Sequence, residues 1–218
     1  MAYSGGKDSS MALYRLLNDP TWQVKRLLTT ANATYQRSSM HGVRLELFRQ
    51  QADAIGLPLD VVWLTPEDGG EGYRGKMTAV LQNYKSHGLN HMAFGDLYLE
   101  DVRQYREAMN QTVGMGSVFP VWGMPTQEFA KSVIQLGFKA IVVCVDTAQL
   151  DISFCGREFD EAFLNDLPAG IDWCAENGEF HTFCYDGPIF TNPVTFRTGE
   201  RTLRENRFQY IDLLPVAP

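Results

Sequence analysis

The feature that most constrains this chain is Ser4-Gly5-Gly6-Lys7-Asp8-Ser9, which runs straight into an amphipathic helix. Two adjacent glycines let backbone N–H groups converge on one point. The start of the helix adds partial positive charge at the same place. Lys7 supplies a full charge, Asp8 a carboxylate suited to Mg2+, and Ser4 and Ser9 hydroxyl donors. Such a loop cradles phosphate and needs a strand before it and a helix after it. Its spacing differs from that of the P-loop, G-x-x-x-x-G-K-[ST]. A glycine turn that merely caps a helix is the plain alternative, and so many anion-directed groups in six residues argue against it.

Only Met1, Ala2 and Tyr3 precede the loop, whereas a strand usually has about 5–6 residues. Either the first strand is very short or the sequence starts late. Four or five native residues added upstream are then expected to raise the melting temperature.

The first half follows a βαβ rhythm. Helices are expected over residues 8–18, 40–55, 73–86 and 100–113, each with apolar residues on one face. In the second of these, Val43, Leu47, Ala52 and Ile55 form the stripe. Strands are expected at 24–28, 59–64, 91–94 and 118–121. Residues 59–64 (LDVVWL) are apolar apart from Asp60, which predicts a strand buried on both faces. Strands spaced by helices imply a parallel sheet with helices on both sides. Pro125 then opens another helix, followed by a strand at 140–145. Residues 150–190 lose periodicity, and 194–214 read as a hairpin through Arg204-Glu205-Asn206. The expected division is into residues 1–123 and 124–218.

The charge supports two functional halves. Residues 1–139 carry 14 Lys/Arg against 13 Asp/Glu, while 140–218 carry five Arg, no Lys and 13 Asp/Glu. The overall net charge of −7 argues against broad phosphate neutralisation of nucleic acid. Phe154, Phe159, Phe163, Trp173, Phe180, Phe183 and Tyr185 cluster in the acidic half. Together with the acids they suit a substrate carrying an amine or quaternary ammonium. No apolar run reaches the ~20 residues of a membrane span, and no signal peptide is evident. A cytoplasmic protein is therefore expected. Cys144, Cys155, Cys174 and Cys184 contain no C-x-x-C pair, so free thiols are expected.

Two further motifs carry chemistry. Gly95-Asp96 follows an expected strand, where open α/β sheets place ligands. Arg103 and Glu107 follow four apart; taken alone, that pair reads as a surface contact of about 0.5 kcal/mol or less. The third motif is Glu176-Asn177-Gly178-Glu179-Phe180-His181-Thr182-Phe183, with Asp186-Gly187-Pro188-Ile189-Phe190 after it. Its carboxylates, amide, hydroxyl and histidine can orient a polar substrate. His41 is expected near a helix start, either approaching the nucleotide or, more simply, on the surface, and His87 and His91 at a helix end and a strand start.

These three motifs in this order resemble the diphthine–ammonia ligase family, a branch of the PP-loop ATP pyrophosphatases. The first loop alone indicates the superfamily; E-N-G-E-F and D-G-P-I-F are the specific part. The resemblance implies a Rossmann-like five-stranded parallel sheet plus a smaller C-terminal α+β substrate domain. It implies ATP with Mg2+, cleavage to AMP and pyrophosphate, and amidation of a carboxylate by ammonium. Ser4, Gly5, Gly6, Lys7, Asp8 and Ser9 would hold pyrophosphate. The turn at residues 29–32, with Thr30 and Asn32, and Gly95 and Asp96 would meet the nucleotide. Arg103, Glu107, Glu176, Asn177, Gly178, Glu179, His181 and Thr182 would meet the substrate, with Glu179 or His181 as proton acceptor.

Members acting on translation elongation factor 2 tend to read G-E-G-G-E-[YF]-E-T at the third motif. Here Ala175, Asn177 and His181 depart from it, and Tyr105 stands where a second arginine is usual, with Arg106 one further on. This pattern resembles the bacterial-type branch, where diphthamide is not expected. A PP-loop enzyme modifying tRNA and a non-catalytic adenine-nucleotide sensor are the rival readings. A homodimer is the commonest assembly for such a chain.

Overall fold

The structure is a computed structural model and describes residues 1–39 and 41–216. Met40, where the second helix was expected to begin, lies outside the described residues. The chain runs α1 (Lys7–Leu17), β1 (Leu27–Asn32), β2 (Arg37–Ser38), α2 (Leu45–Ile55), β3 (Leu59–Leu64), α3 (Gly69–Ser86), β4 (His91–Ala93), α4 (Glu100–Gln111) and β5 (Gly116–Val118). It continues through α5 (Thr126–Gln135), β6 (Lys139–Asp146), α6 (Glu161–Asp166), β7 (Phe180–Asp186), β8 (Phe196–Arg204) and β9 (Phe208–Pro215). The fold is mixed α/β.

A single five-stranded parallel sheet, as expected from the sequence, is not formed among the described residues. Two parallel pieces stand in its place: β1 with β3, from Leu27↔Leu59 to Asn32↔Leu64, and β4 with β5. Met1–Tyr3 lie between the pieces. Leu28 N donates to Met1 O (2.8 Å), Tyr3 N to Leu28 O (2.8 Å) and Ala2 N to Ala93 O (2.9 Å). Three residues give an isolated bridge, Ala2↔Leu28, rather than a ladder. Sequence spacing therefore located the layer, while continuity failed at its shortest segment.

Helices cover both faces of this layer. Leu13 of α1, Phe48 of α2 and Phe129 of α5 join the larger core. Met77 and Leu81 of α3 pack with Met92 and Phe94 in a second cluster, with Met109 of α4 against it. Residues 59–64 form β3 as expected, but only Val62 is fully buried. The strand lies at the margin of its sheet, in the order β2-β1-β3. Leu59, Val61 and Trp63 pack incompletely on one core, and Leu64 on the other.

Residues 139–215 build an antiparallel sheet of order β7-β6-β9-β8. Glu205 and Asn206 take φ of 53° and 50°, closing the expected β8–β9 hairpin. Phe154, Phe159, Phe163 and Phe180 pack edge to face or tilted with neighbouring rings 5.1–6.2 Å apart. The aromatics expected to meet a substrate cation are thus mainly core. All four cysteines are free and buried. The larger core includes Leu13 and Phe48 as well as Val143 and Phe183, so it runs through both halves of the chain.

Candidate active site

The Ser4–Ser9 loop is shaped from behind by close contacts. Gly5 has φ +73°, and a Cβ there would fall 2.7 Å from Gln51 Oε1 and 2.9 Å from Phe48 Cε1. On Gly6 it would fall 2.9 Å from His41 Cε1 and 3.0 Å from Thr182 O. Glycine is the residue that fits both positions. Ser4 Oγ donates to Ser9 Oγ (3.1 Å), and Ser9 Oγ lies 3.1 Å from Gly6 O. Gly95, just after β4, touches the loop from another side: its Cβ would meet Asp8 C and Ser9 N at 3.0 Å.

The second half holds the loop by hydrogen bonds. Cys184 N donates to Gly5 O (2.8 Å), and Lys7 N to Thr182 Oγ1 (3.1 Å). Gln51, 0 % exposed, bridges Gly5 O (2.9 Å) and Cys184 O (2.5 Å) through Nε2. No local pattern points to Gln51's part, because its partners lie far away at positions 5 and 184.

Lys7 is 2 % exposed. Its Nζ donates to Cys174 O (2.6 Å) and lies 3.0 Å from Asp8 Oδ1. The Phe159 and Phe180 rings flank it at 5.5 and 5.3 Å; the cation these aromatics meet is the chain's own. Burial acts to lower the Lys7 pKa, but Asp8, Cys174 and Glu176 together outweigh it and the net shift is upward. The ammonium stays charged. Burial raises the Asp8 pKa, with Lys7 opposing.

A cavity of about 610 Å³ opens in front of the loop. Of the residues expected at the nucleotide, Ser4, Lys7, Asp8, Ser9, Thr30, Gly95 and Asp96 line it. Asn32 does not. Residues 29–32 continue β1 rather than turning, and Asn32 Oδ1 accepts from Thr34 N (2.9 Å) and Tyr35 N (3.0 Å). At the substrate end, Glu176, Gly178, His181 and Thr182 line the cavity.

Four expected substrate residues lie elsewhere. Arg103 Nε donates to Glu107 (2.9 Å) and its guanidinium lies over Trp122 at 4.7 Å, so this pair is the plain i,i+4 contact. Arg106 reaches the cavity instead: it pairs with Asp96 at 2.6 Å and lies 4.6 Å over Phe94. Glu179 is 2 % exposed and turned into its own loop. It accepts from Asp172 N (3.2 Å), Asn177 N (3.1 Å) and Asn177 Nδ2 (3.2 Å). Asn177 is exposed and committed to that carboxylate.

Glu176 has the surroundings expected of a proton acceptor. Burial, then the nearby Asp8 charge, pushes its pKa up to about 7, against a hydrogen bond from Leu97 N (3.1 Å). His41, expected at the surface with approach to the nucleotide as the alternative, is buried and lines the cavity. His87 ends α3 and His91 opens β4, as expected. Among the described residues no group of three or more His, Cys, Asp or Glu forms a metal cage. No helix there is long and apolar enough to cross a membrane.

Two family models match the chain. A model described as the diphthamide synthase N-terminal domain matches residues 1–117, and one described as the diphthamide synthase C-terminal domain matches residues 125–213. The chain belongs to the diphthamide synthase family. This is the diphthine–ammonia ligase family of the PP-loop superfamily, whose membership indicates an ATP-utilising, ligase-type function. No curated protein matches the chain.

Proposed function

We propose that the chain uses ATP to activate a substrate carboxylate and passes the acyl group to ammonia. The observation that carries this is one cavity joining Lys7, Asp8 and Ser9 to Gly95, Asp96, Glu176 and Thr182. A carboxylate does not react with ammonia, because oxide would have to leave. Attack of its oxygen on the α-phosphorus forms an acyl-adenylate, and the bond to the β-phosphate breaks with its electron pair on pyrophosphate. Ammonia then attacks the carbonyl carbon and AMP departs.

Each residue has a part in this reading. Lys7 Nζ and the Ser4 and Ser9 hydroxyls, whose residues line the cavity, stabilise charge as pyrophosphate forms. The apolar end of the cavity, with Leu28, Leu64, Met77, Met92 and Met109, takes the base. Glu176 removes a proton from ammonium, which otherwise has no lone pair to attack with. Asp8 would hold Mg2+: it lines the cavity, with Lys7 Nζ 3.0 Å from Oδ1 and 3.1 Å from Oδ2. One carboxylate plus phosphate oxygens is a usual magnesium donor set, and the bound ion would offset phosphate charge. Residues 1–123 then serve ATP and 124–218 the carboxylate substrate. Ala175, Asn177 and His181 depart from the motif of members acting on elongation factor 2. The reading therefore favours a bacterial-type branch with a different carboxylate.

Isotope exchange tests this reading. With Mg2+, a substrate carboxylate and no ammonium, labelled pyrophosphate is expected to enter ATP, and Lys7→Ala to abolish the exchange. Amide formation without any such exchange or AMP release would overturn it.

A further inference from the structure

His41 and His181 have no part in the steps above, yet both line the cavity. They come from opposite halves, His41 from the segment between β2 and α2 and His181 from β7. Their rings stack with centroids 4.9 Å apart at 24°. His41 is 9 % exposed and packs against the loop at Gly6. His41 Nδ1 lies 2.8 Å from Thr182 O. A carbonyl only accepts, so Nδ1 carries the proton and Nε2 of the neutral ring has a lone pair but no hydrogen to offer.

Both rings are neutral without an anion. Burial, then the neighbouring imidazole, holds His41 down to about 3, and the hydrogen bond to Thr182 O only partly opposes this. Burial, then Lys7, holds His181 down to about 4. Lys7 of α1 is the charged group acting on both rings; Asp8 and Glu176 in turn act on Lys7. Thr182 of β7, and Ser38 and Ser39 at the end of β2, are uncharged neighbours in the cavity. A multiply charged anion on the loop would offset Lys7 and reverse the balance.

We propose that the His41–His181 stack is a proton-taking anion subsite: pyrophosphate reaching the Gly5–Lys7 loop draws a proton from solvent onto the pair. The imidazolium so formed donates a hydrogen bond to the anion. Two imidazolium rings this close repel, so the pair takes one proton rather than two. The empty site thus carries less positive charge than the filled one. The inference rests on reading the loop as a pyrophosphate site.

Imidazole 15N spectra of the labelled protein, titrated with pyrophosphate and Mg2+ at pH 7.5, test it. The free protein is expected to show both rings neutral and His41 as the Nδ1–H tautomer. At saturation one of the two is expected to become imidazolium. Saturable binding with both rings still neutral overturns this proposal alone. Absence of saturable binding overturns the pyrophosphate-loop reading and this proposal with it. The double variant His41→Gln/His181→Gln, folded by circular dichroism, is expected to bind pyrophosphate about tenfold more weakly at pH 6.5. That gap should narrow as pH rises. A double variant whose affinity follows pH as wild type does would also overturn the proposal.

Discussion

Glu176 and Glu179 are three residues apart and meet different surroundings. Glu176 faces the cavity with its pKa pushed up to about 7. If its carboxylate accepts the proton from ammonium, the amidation rate falls as pH drops below about 7 and levels off above it. Glu176→Gln is expected to lose that inflection and about a hundredfold in kcat; pH–rate profiles of the two proteins check it. Glu179 holds the 172–179 loop through three donors. Glu179→Gln is expected to cost roughly 1–3 kcal/mol of stability, read by denaturant unfolding. Sequence alone could not separate the two acids. Both stand in one polar run, and only the folded loop shows which way each points.

At the scale of elements, β7 and α2 decide the shape of the phosphate loop. Gln51 on α2 ties Gly5 O to Cys184 O. Gln51→Leu should leave those carbonyls short of a donor, costing about 2 kcal/mol. It should also weaken ATP binding; denaturant melts and nucleotide titration measure both. Gly95→Ala would push a methyl to within 3.0 Å of the Asp8–Ser9 backbone. Since backbone cannot swing aside as a side chain can, loss of nucleotide affinity is expected with the fold retained. The elements were legible outside residues 150–190, where α6 and β7 had no periodic signal. Residues 59–64 became β3, and the hairpin near Arg204-Glu205-Asn206 formed, because apolar runs and turn residues are local signals. The loop's contacts at Thr182 and Cys184 were not legible, because more than 170 residues separate them from their partners.

For the whole molecule, the uneven charge conceals ion pairs that cross the halves. Arg37 donates to Asp212 Oδ1 (2.8 Å) and Arg44 to Asp212 Oδ2 (2.6 Å), joining the β2 segment to β9. Burial alone would raise the Asp212 pKa, but the two guanidiniums outweigh it and hold the carboxyl down to about 2. A depressed carboxylate stabilises the fold above its unfolded pKa and loses that effect as pH falls through the folded value. Asp212→Asn should therefore cost about 2 kcal/mol at pH 7, with the difference from wild type closing near pH 2. Calorimetry across that range checks it. The acidic excess of residues 140–218 thus reads partly as structural: Asp212 and Glu179 hold the fold, while Glu176 faces the cavity.

The most direct test of the account is the identity of the products from ATP. Phosphorus NMR would follow ATP with Mg2+, ammonium and candidate carboxylates, diphthine-bearing elongation factor 2 among them. The account predicts AMP and pyrophosphate, formed together and dependent on the carboxylate. ADP and inorganic phosphate would contradict it.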